Sequence, residues 1–145
     1  RECETLFIPL YGRALMSRAG ELIQDPKAEQ IVSQVDYDFS RNRMPKGLQI
    51  YMAIRACILD EMARDFLAKN PAALVVQLGC GLDSRCERVQ GAARWYDLDF
   101  PSVIEVRGQF YAESERYRMI SADATELRWL FKSVTITPLF ILLYI

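Results

Sequence analysis

The chain has 145 residues, 51% hydrophobic and 26% charged, which suits one domain with a buried core and rules out a disordered chain. Its net charge is −1, with Lys and Arg spread along the sequence, so nothing favours nucleic acid as a partner. There is no histidine, which removes the commonest general base and every Ser-His or Cys-His nucleophile.

Cys3, Cys57, Cys80 and Cys86 lack metal-ligand spacing and read as reduced thiols of a cytoplasmic protein. The chain opens Arg1-Glu2-Cys3-Glu4, charged where a secretory signal needs an apolar core. It lacks an initiator Met, so something upstream is expected to be trimmed or missing. Residues 4–19 predict a helix, with Tyr11-Gly12-Arg13 a weak point. Asp25-Pro26 predicts a second helix start, an N-cap acid followed by proline at the first helical position. Residues 37–45 are polar and charged and predict a loop or lid.

Residues 47–70 give the clearest helix. Leu48, Tyr51, Ile58, Met62 and Phe66 fall on one stripe, expected to face the core. Arg55 lies on the same stripe, where a charge needs a partner. Three partners suit it: an internal carboxylate, water reached by snorkelling, or the two oxygens of a ligand carboxylate.

Asn70-Pro71 ends that helix, and the apolar residues 74–78 predict a strand buried on both faces. Gly79-Cys80-Gly81 follows at the strand's carboxyl end. Residues 83–89 predict a short helix ended by Gly91, and 94–98 a second strand with Asp99 at its end. Pro101 opens a helix over 101–113. Residues 117–121 predict a third strand with Asp123 directly after it. A short helix over 127–131 and a fourth buried strand over 137–145 complete the order. The alternation predicts an α/β fold with a parallel sheet. The apolar tail from Pro138 is far short of the ~20 residues that span a bilayer, so no membrane is expected.

A strand, a glycine turn and a second strand ending in an acid build a pocket for a ribose-bearing ligand. Asp99 would accept hydrogen bonds from the ribose hydroxyls. A helix-capping acid before Pro101 is the alternative there, and a helix-capping acid is likewise the alternative at Asp123. The dinucleotide fingerprint wants a third glycine where Ser84 stands, and Asp83 beside it disfavours a pyrophosphate. That carboxylate suits a ligand presenting a cation, such as a sulfonium or amino group. S-adenosylmethionine is therefore favoured over a dinucleotide.

Four segments carry a resemblance. They are Glu4-Thr5-Leu6-Phe7-Ile8-Pro9-Leu10-Tyr11-Gly12-Arg13-Ala14, Asp36-Tyr37-Asp38-Phe39, the run from Val76 to Arg85, and the run from Trp95 to Ile104. Together they resemble the leucine carboxyl methyltransferase family, in its bacterial branch of polyketide O-methyltransferases. Glu115-Arg116-Tyr117-Arg118-Met119-Ile120 resembles that branch as well. The resemblance implies a Rossmann-like class I methyltransferase sheet, incomplete at the C-terminus, with an N-terminal helical segment. It implies S-adenosyl-L-methionine as the cofactor. By position, Arg55 would hold the donor's carboxylate, and Gly79 and Gly81 would line its amino-acid and ribose portion. Asp99 would bind the ribose, with Asp97 a weaker substitute. Asp123 and Ala124 would border the adenine. Tyr11, Arg13 and Arg41 are acceptor-side candidates, with solvated surface charge the alternative for the two arginines.

One structural domain is expected, with residues 1–70 as a helical acceptor-side segment and 71–145 as a partial S-adenosylmethionine-binding region. The family's chain continues past the fourth strand, so this sequence reads as truncated, with an uncovered apolar edge favouring self-association and with weak or absent turnover. The implied function is O-methylation of a carboxylate or other small-molecule oxygen, such as that of a polyketide-like acid. A dinucleotide-binding oxidoreductase fragment and a non-catalytic remnant are the alternatives.

Overall fold

A computed structural model describes residues 4–41, 43–91, 94–126 and 128–129, with the backbone of 139–143. The chain divides into two units, Arg1–Glu61 with Leu82–Arg88, and Met62–Gly81 with Val89–Ile145. The first boundary therefore falls inside a helix, and a seven-residue piece that follows the glycine turn groups with the N-terminal helices.

In the first unit, helix α1 (Glu4–Arg18) runs unbroken through Pro9 and Gly12. Gly12 marks a close approach: a Cβ there would lie 3.0 Å from the Met52 Cβ. Helix α2 (Pro26–Gln34) starts as its sequence dictates, with Asp25 accepting from the Ala28 amide at 3.0 Å and Pro26 where no donor is needed. Between α2 and helix α3 (Lys46–Lys69), Asp38 accepts from the Ser40 amide and seeds one 3₁₀ turn, Phe39–Arg41. The first part of the loop expected at 37–45, residues 37–41, is thus tied down. Tyr37 stacks near Phe7 and Phe39 near Tyr11, each pair 4.7 Å between ring centroids.

Three of the five residues in the apolar stripe expected to bury α3 are left open, while Leu48 and Phe66 are half-buried. Tyr51, Ile58 and Met62 are 58%, 52% and 54% exposed, and Ile54 is exposed between them. The buried face carries Ala53, Ala56, Asp60, Ala63 and Leu67. Periodicity weighted by side-chain size chose the wrong face, because small residues let helices approach closely and Asp60 has charges to meet. Met16, Ile23, Ala53 and Ala56 form the local core.

The second unit is a four-stranded parallel sheet. Strands β1 (Leu74–Leu78), β2 (Arg94–Asp99) and β3 (Tyr117–Ser121) match the expected segments closely, and β4 (Leu139–Leu143) lies within the expected fourth. The order is β3-β2-β1-β4, with Leu78 opposite Leu98 and Asp99 opposite Ser121. Leu74, Val76 and Leu78, alternate residues on one face of β1, pack with Leu98 and Trp129. The order reverses direction at β1, the point where doubly wound sheets place ligands beyond the carboxyl ends of their strands. Helix α5 (Pro101–Arg107) is shorter than the expected 101–113. Gly108 caps it, and Ser114 accepts from the Tyr117 amide to turn the chain into β3. The short helix expected over 127–131 and the ends of the 137–145 segment lie largely outside the described residues.

Candidate functional site

At the carboxyl end of β1, Gly79 and Gly81 have φ of 65° and 49°, the left-handed region that side chains with a Cβ disfavour. The Gly79 and Cys80 amides both donate to the Leu98 carbonyl, at 2.8 and 3.2 Å. The Gly81 amide donates to Asp99 Oδ2 at 2.8 Å, and the Phe100 amide to Asp99 Oδ1 at 2.8 Å. Phe100, not Asp99, holds the N-cap position of α5, and no side chain caps that helix. The capping role considered for Asp99 is therefore not the one it plays. Its carboxylate clasps the glycine turn at the carboxyl end of β2.

Asp97, the weaker substitute, is turned inward instead. It is fully buried and accepts from Trp95 Nε1, Tyr117 Oη and Arg107. Burial disfavours the Arg107 charge, but the Asp97 carboxylate overrides this and holds the guanidinium protonated well above its usual range. The Ala122 amide donates to the Asp99 carbonyl, which brings the start of the Asp123 turn beside β2. Asp123 itself accepts from Thr125 Oγ1 at 2.7 Å and its amide at 2.8 Å, bonds that hold its carboxyl below the usual range. These bonds cap a turn at 124–126, not a helix. The neighbouring Ala124 carbonyl accepts from Trp129 Nε1.

Arg55, Tyr11, Arg13 and Arg41 belong to the first unit, and Gly79, Gly81, Asp99 and Asp123 to the second. Arg55 and Tyr11 are half-buried and Arg41 is exposed. Arg13 is only 1% exposed: its Nε donates to Asp25 at 3.0 Å and its Nη2 to the Leu82 carbonyl at 3.1 Å. It is thus an internal ion-pair partner, and neither the acceptor-side reading nor the solvated-surface alternative describes its position.

Asp83 corrects a further expectation. Its carboxylate does not face an open site for a cationic ligand; it is buried among the protein's own cations. Arg85 Nη1 lies 2.9 Å from it, Arg88 Nη2 3.0 Å and Arg13 Nε 3.9 Å. Asp60 takes Arg85 Nε and Arg88 Nε at 2.7 Å each, and Asp25 takes Arg88 Nη1 at 2.8 Å. Ser84, where the dinucleotide fingerprint wants glycine, is buried and donates to Asp25. Three guanidiniums thus meet three carboxylates drawn from α1, the α2 cap, α3, the stretch after the glycine turn and helix α4 (Arg85–Arg88). Sequence reasoning missed Asp60, Arg85, Arg88 and Arg107. The available signal was Asp83 with Arg85 and Arg88 two and five residues on, and an arginine on the Val103–Arg107 side of α5.

The network's pH dependence follows. Burial pushes the Asp83 carboxyl up, and Arg85, Arg88 and Arg13 outweigh it, leaving it well below the usual range. A depressed carboxylate contributes in full above its unfolded value of about 4 and loses that contribution only as pH falls toward its folded value. The difference in thermal midpoint between the parent chain and Asp83→Asn is expected to stay constant from pH 8 to 5. It should shrink below about pH 4. A difference that instead vanished near neutrality would contradict the charge assignment.

A parallel sheet whose first strand enters a left-handed glycine turn, clasped by the acid ending the second strand, is of the Rossmann-like class. A model of the leucine carboxyl methyltransferase family matches residues 7–129, and the chain belongs to that family. It is 44% identical over 130 residues to the tetracenomycin polyketide synthesis O-methyltransferase TcmP of Streptomyces glaucescens. It is 35% identical over 143 residues to the S-adenosyl-L-methionine-dependent methyltransferase dpfgK of Gibberella zeae. Each match covers 88% of this chain and 48% of the relative, so the chain spans about half the length of these relatives. Among the described residues, no helix is long and apolar enough to cross a membrane.

Proposed function

We propose that this chain carries the methyl-donor half-site of an S-adenosylmethionine-dependent O-methyltransferase acting on a small-molecule oxygen. The observation that carries the reading is the clasp between Gly81 and Asp99. Each Asp99 oxygen already accepts one backbone amide, and a carboxylate offers about four acceptor positions. Two remain, which matches the two adjacent hydroxyls of a ribose. Gly79 and Gly81 allow the ligand to approach the backbone, and Asp123 and Ala124 are proposed for the adenine edge. Arg55 is proposed for the carboxylate of the donor's amino-acid end.

The bound donor would supply an electrophilic methyl group on a sulfonium. The residues of this chain then align rather than activate. A carboxylate acceptor, with a pKa of about 4, is ionised near neutrality and needs no base, which suits a chain without histidine. A phenol, with a pKa of about 10, would need one. The polyketide synthesis named for TcmP makes a polyketide-like acid the acceptor class proposed here. Tyr11 and Arg41 are the acceptor-side residues.

Calorimetric titration with S-adenosylhomocysteine and with a nicotinamide dinucleotide tests the reading. Binding of the first and silence from the second is the expected result; the reverse would transfer the site to an oxidoreductase.

A further inference from the structure

Arg107 is fully buried, yet all three of its guanidinium nitrogens are directed to specific partners. Nη2 donates to Asp97 Oδ2, Nε to Tyr117 Oη at 2.9 Å, and Nη1 to the Gly81 carbonyl at 2.9 Å. Its Cζ lies 3.8 Å from the centroid of the Tyr111 ring, which fixes the plane of the fork. Tyr117 Oη also donates to Asp97 Oδ2 at 2.9 Å, so β2, β3 and α5 together hold the arginine in place. Two bonds of the fork go to neutral groups and are not needed to neutralise the charge, and one of these goes to the glycine turn.

The Gly81 residue is thus gripped at both ends: its carbonyl by Arg107, its amide by Asp99. A left-handed glycine has the widest backbone freedom of any residue, so a turn of this kind needs outside bonds to stay in one conformation. We propose that Arg107 is a positioning residue for the methyl-donor site, locking the Gly81 turn so that Asp99 presents its remaining acceptor positions to the ribose. This rests on the reading of Asp99 as the ribose acceptor. Arg107 touches no ligand in this scheme; it acts through Gly81 and Asp99. Lysine cannot replace it, because a single ammonium cannot serve Asp97, Tyr117 and the Gly81 carbonyl in one plane.

The test is a double-mutant cycle read by S-adenosylhomocysteine affinity on the full chain. Arg107→Lys keeps the charge beside Asp97 and is expected to weaken binding about 10-fold, the loss of one hydrogen bond's worth of preorganisation. In an Asp99→Ala background the same change should cost less than about 2-fold, since its route to the ligand is gone. Tyr117→Phe, a milder change that removes only the hydroxyl bracing Nε, should show the same pattern at smaller size and keeps the test open if Arg107→Lys does not fold. Equal losses in both backgrounds would make Arg107 merely structural and overturn the inference. Parental affinity in Asp99→Ala alone would remove the ribose reading, and the inference with it. A weakened Asp99→Ala with unaffected Arg107→Lys and Tyr117→Phe would leave the ribose reading standing and remove only Arg107.

Discussion

Replacing Asp99 with alanine is expected to weaken S-adenosylhomocysteine binding about 100-fold or more, with little change in thermal midpoint. Hydrogen bonds to a charged group contribute about 1.5–3 kcal/mol each. Two are proposed to the ribose, and the side chain also holds the Gly81 amide at 2.8 Å. Losing about 3 kcal/mol corresponds to roughly two orders of magnitude in affinity. The residue sits half-exposed at the end of β2, outside the packed core, so its removal leaves little buried polarity unmatched. Asp99→Asn keeps the shape and one acceptor oxygen and should fall between the parent and alanine. Calorimetry gives the affinity and a melting curve gives the fold. A parental affinity in Asp99→Ala would end the assignment of this acid to the ligand.

The second large effect concerns stability. Asp25→Ala is expected to destabilise the first unit by about 4 kcal/mol or more. Removing one partner of a buried ion pair costs about 3–5 kcal/mol, because the other charge stays behind in a place that excludes water. Here Arg13 and Arg88 both lose their contact with Asp25. The cap on the Ala28 amide goes too, a loss of about 1 kcal/mol. A small domain has only about 5–15 kcal/mol in total, so the variant should unfold at much lower urea. Asp25→Asn separates the two causes, since asparagine caps as well as aspartate but carries no charge. It should recover only the capping part. If Asn matched the parent, the charges would contribute nothing and the network would be ornamental.

The strands were legible because each is a short apolar run bounded by glycine, proline or an acid, a pattern that survives any tertiary context. The placement of Asp99 followed from the strand's end alone. The face of α3 did not, since Leu48, Tyr51, Ile58, Met62 and Phe66 outweigh alanines in any hydrophobic count. What buries Ala53, Ala56, Asp60 and Ala63 is their small size and the two arginines waiting for Asp60, neither of which periodicity records. Asp83 was misassigned for a related reason. Its partners lie close by in sequence, at Arg85 and Arg88, but a carboxylate beside a glycine turn looks like a ligand contact until the third cation, Arg13, is seen beside it. Long-range pairing of buried charges leaves no local trace.

The ion network also fixes an order of events during synthesis. Arg13, Asp25 and Asp60 leave the ribosome first and carry one surplus negative charge among them; Asp83, Arg85 and Arg88 follow with one surplus positive. The contacts that join the two sets span 25 to 70 residues of chain, from Arg85 with Asp60 to Arg13 with Asp83. Closing such loops costs entropy before any bond rewards it. The N-terminal helices can therefore coil early, but their interior remains electrically mismatched, and open to water, until the segment after the glycine turn has been translated and folded back.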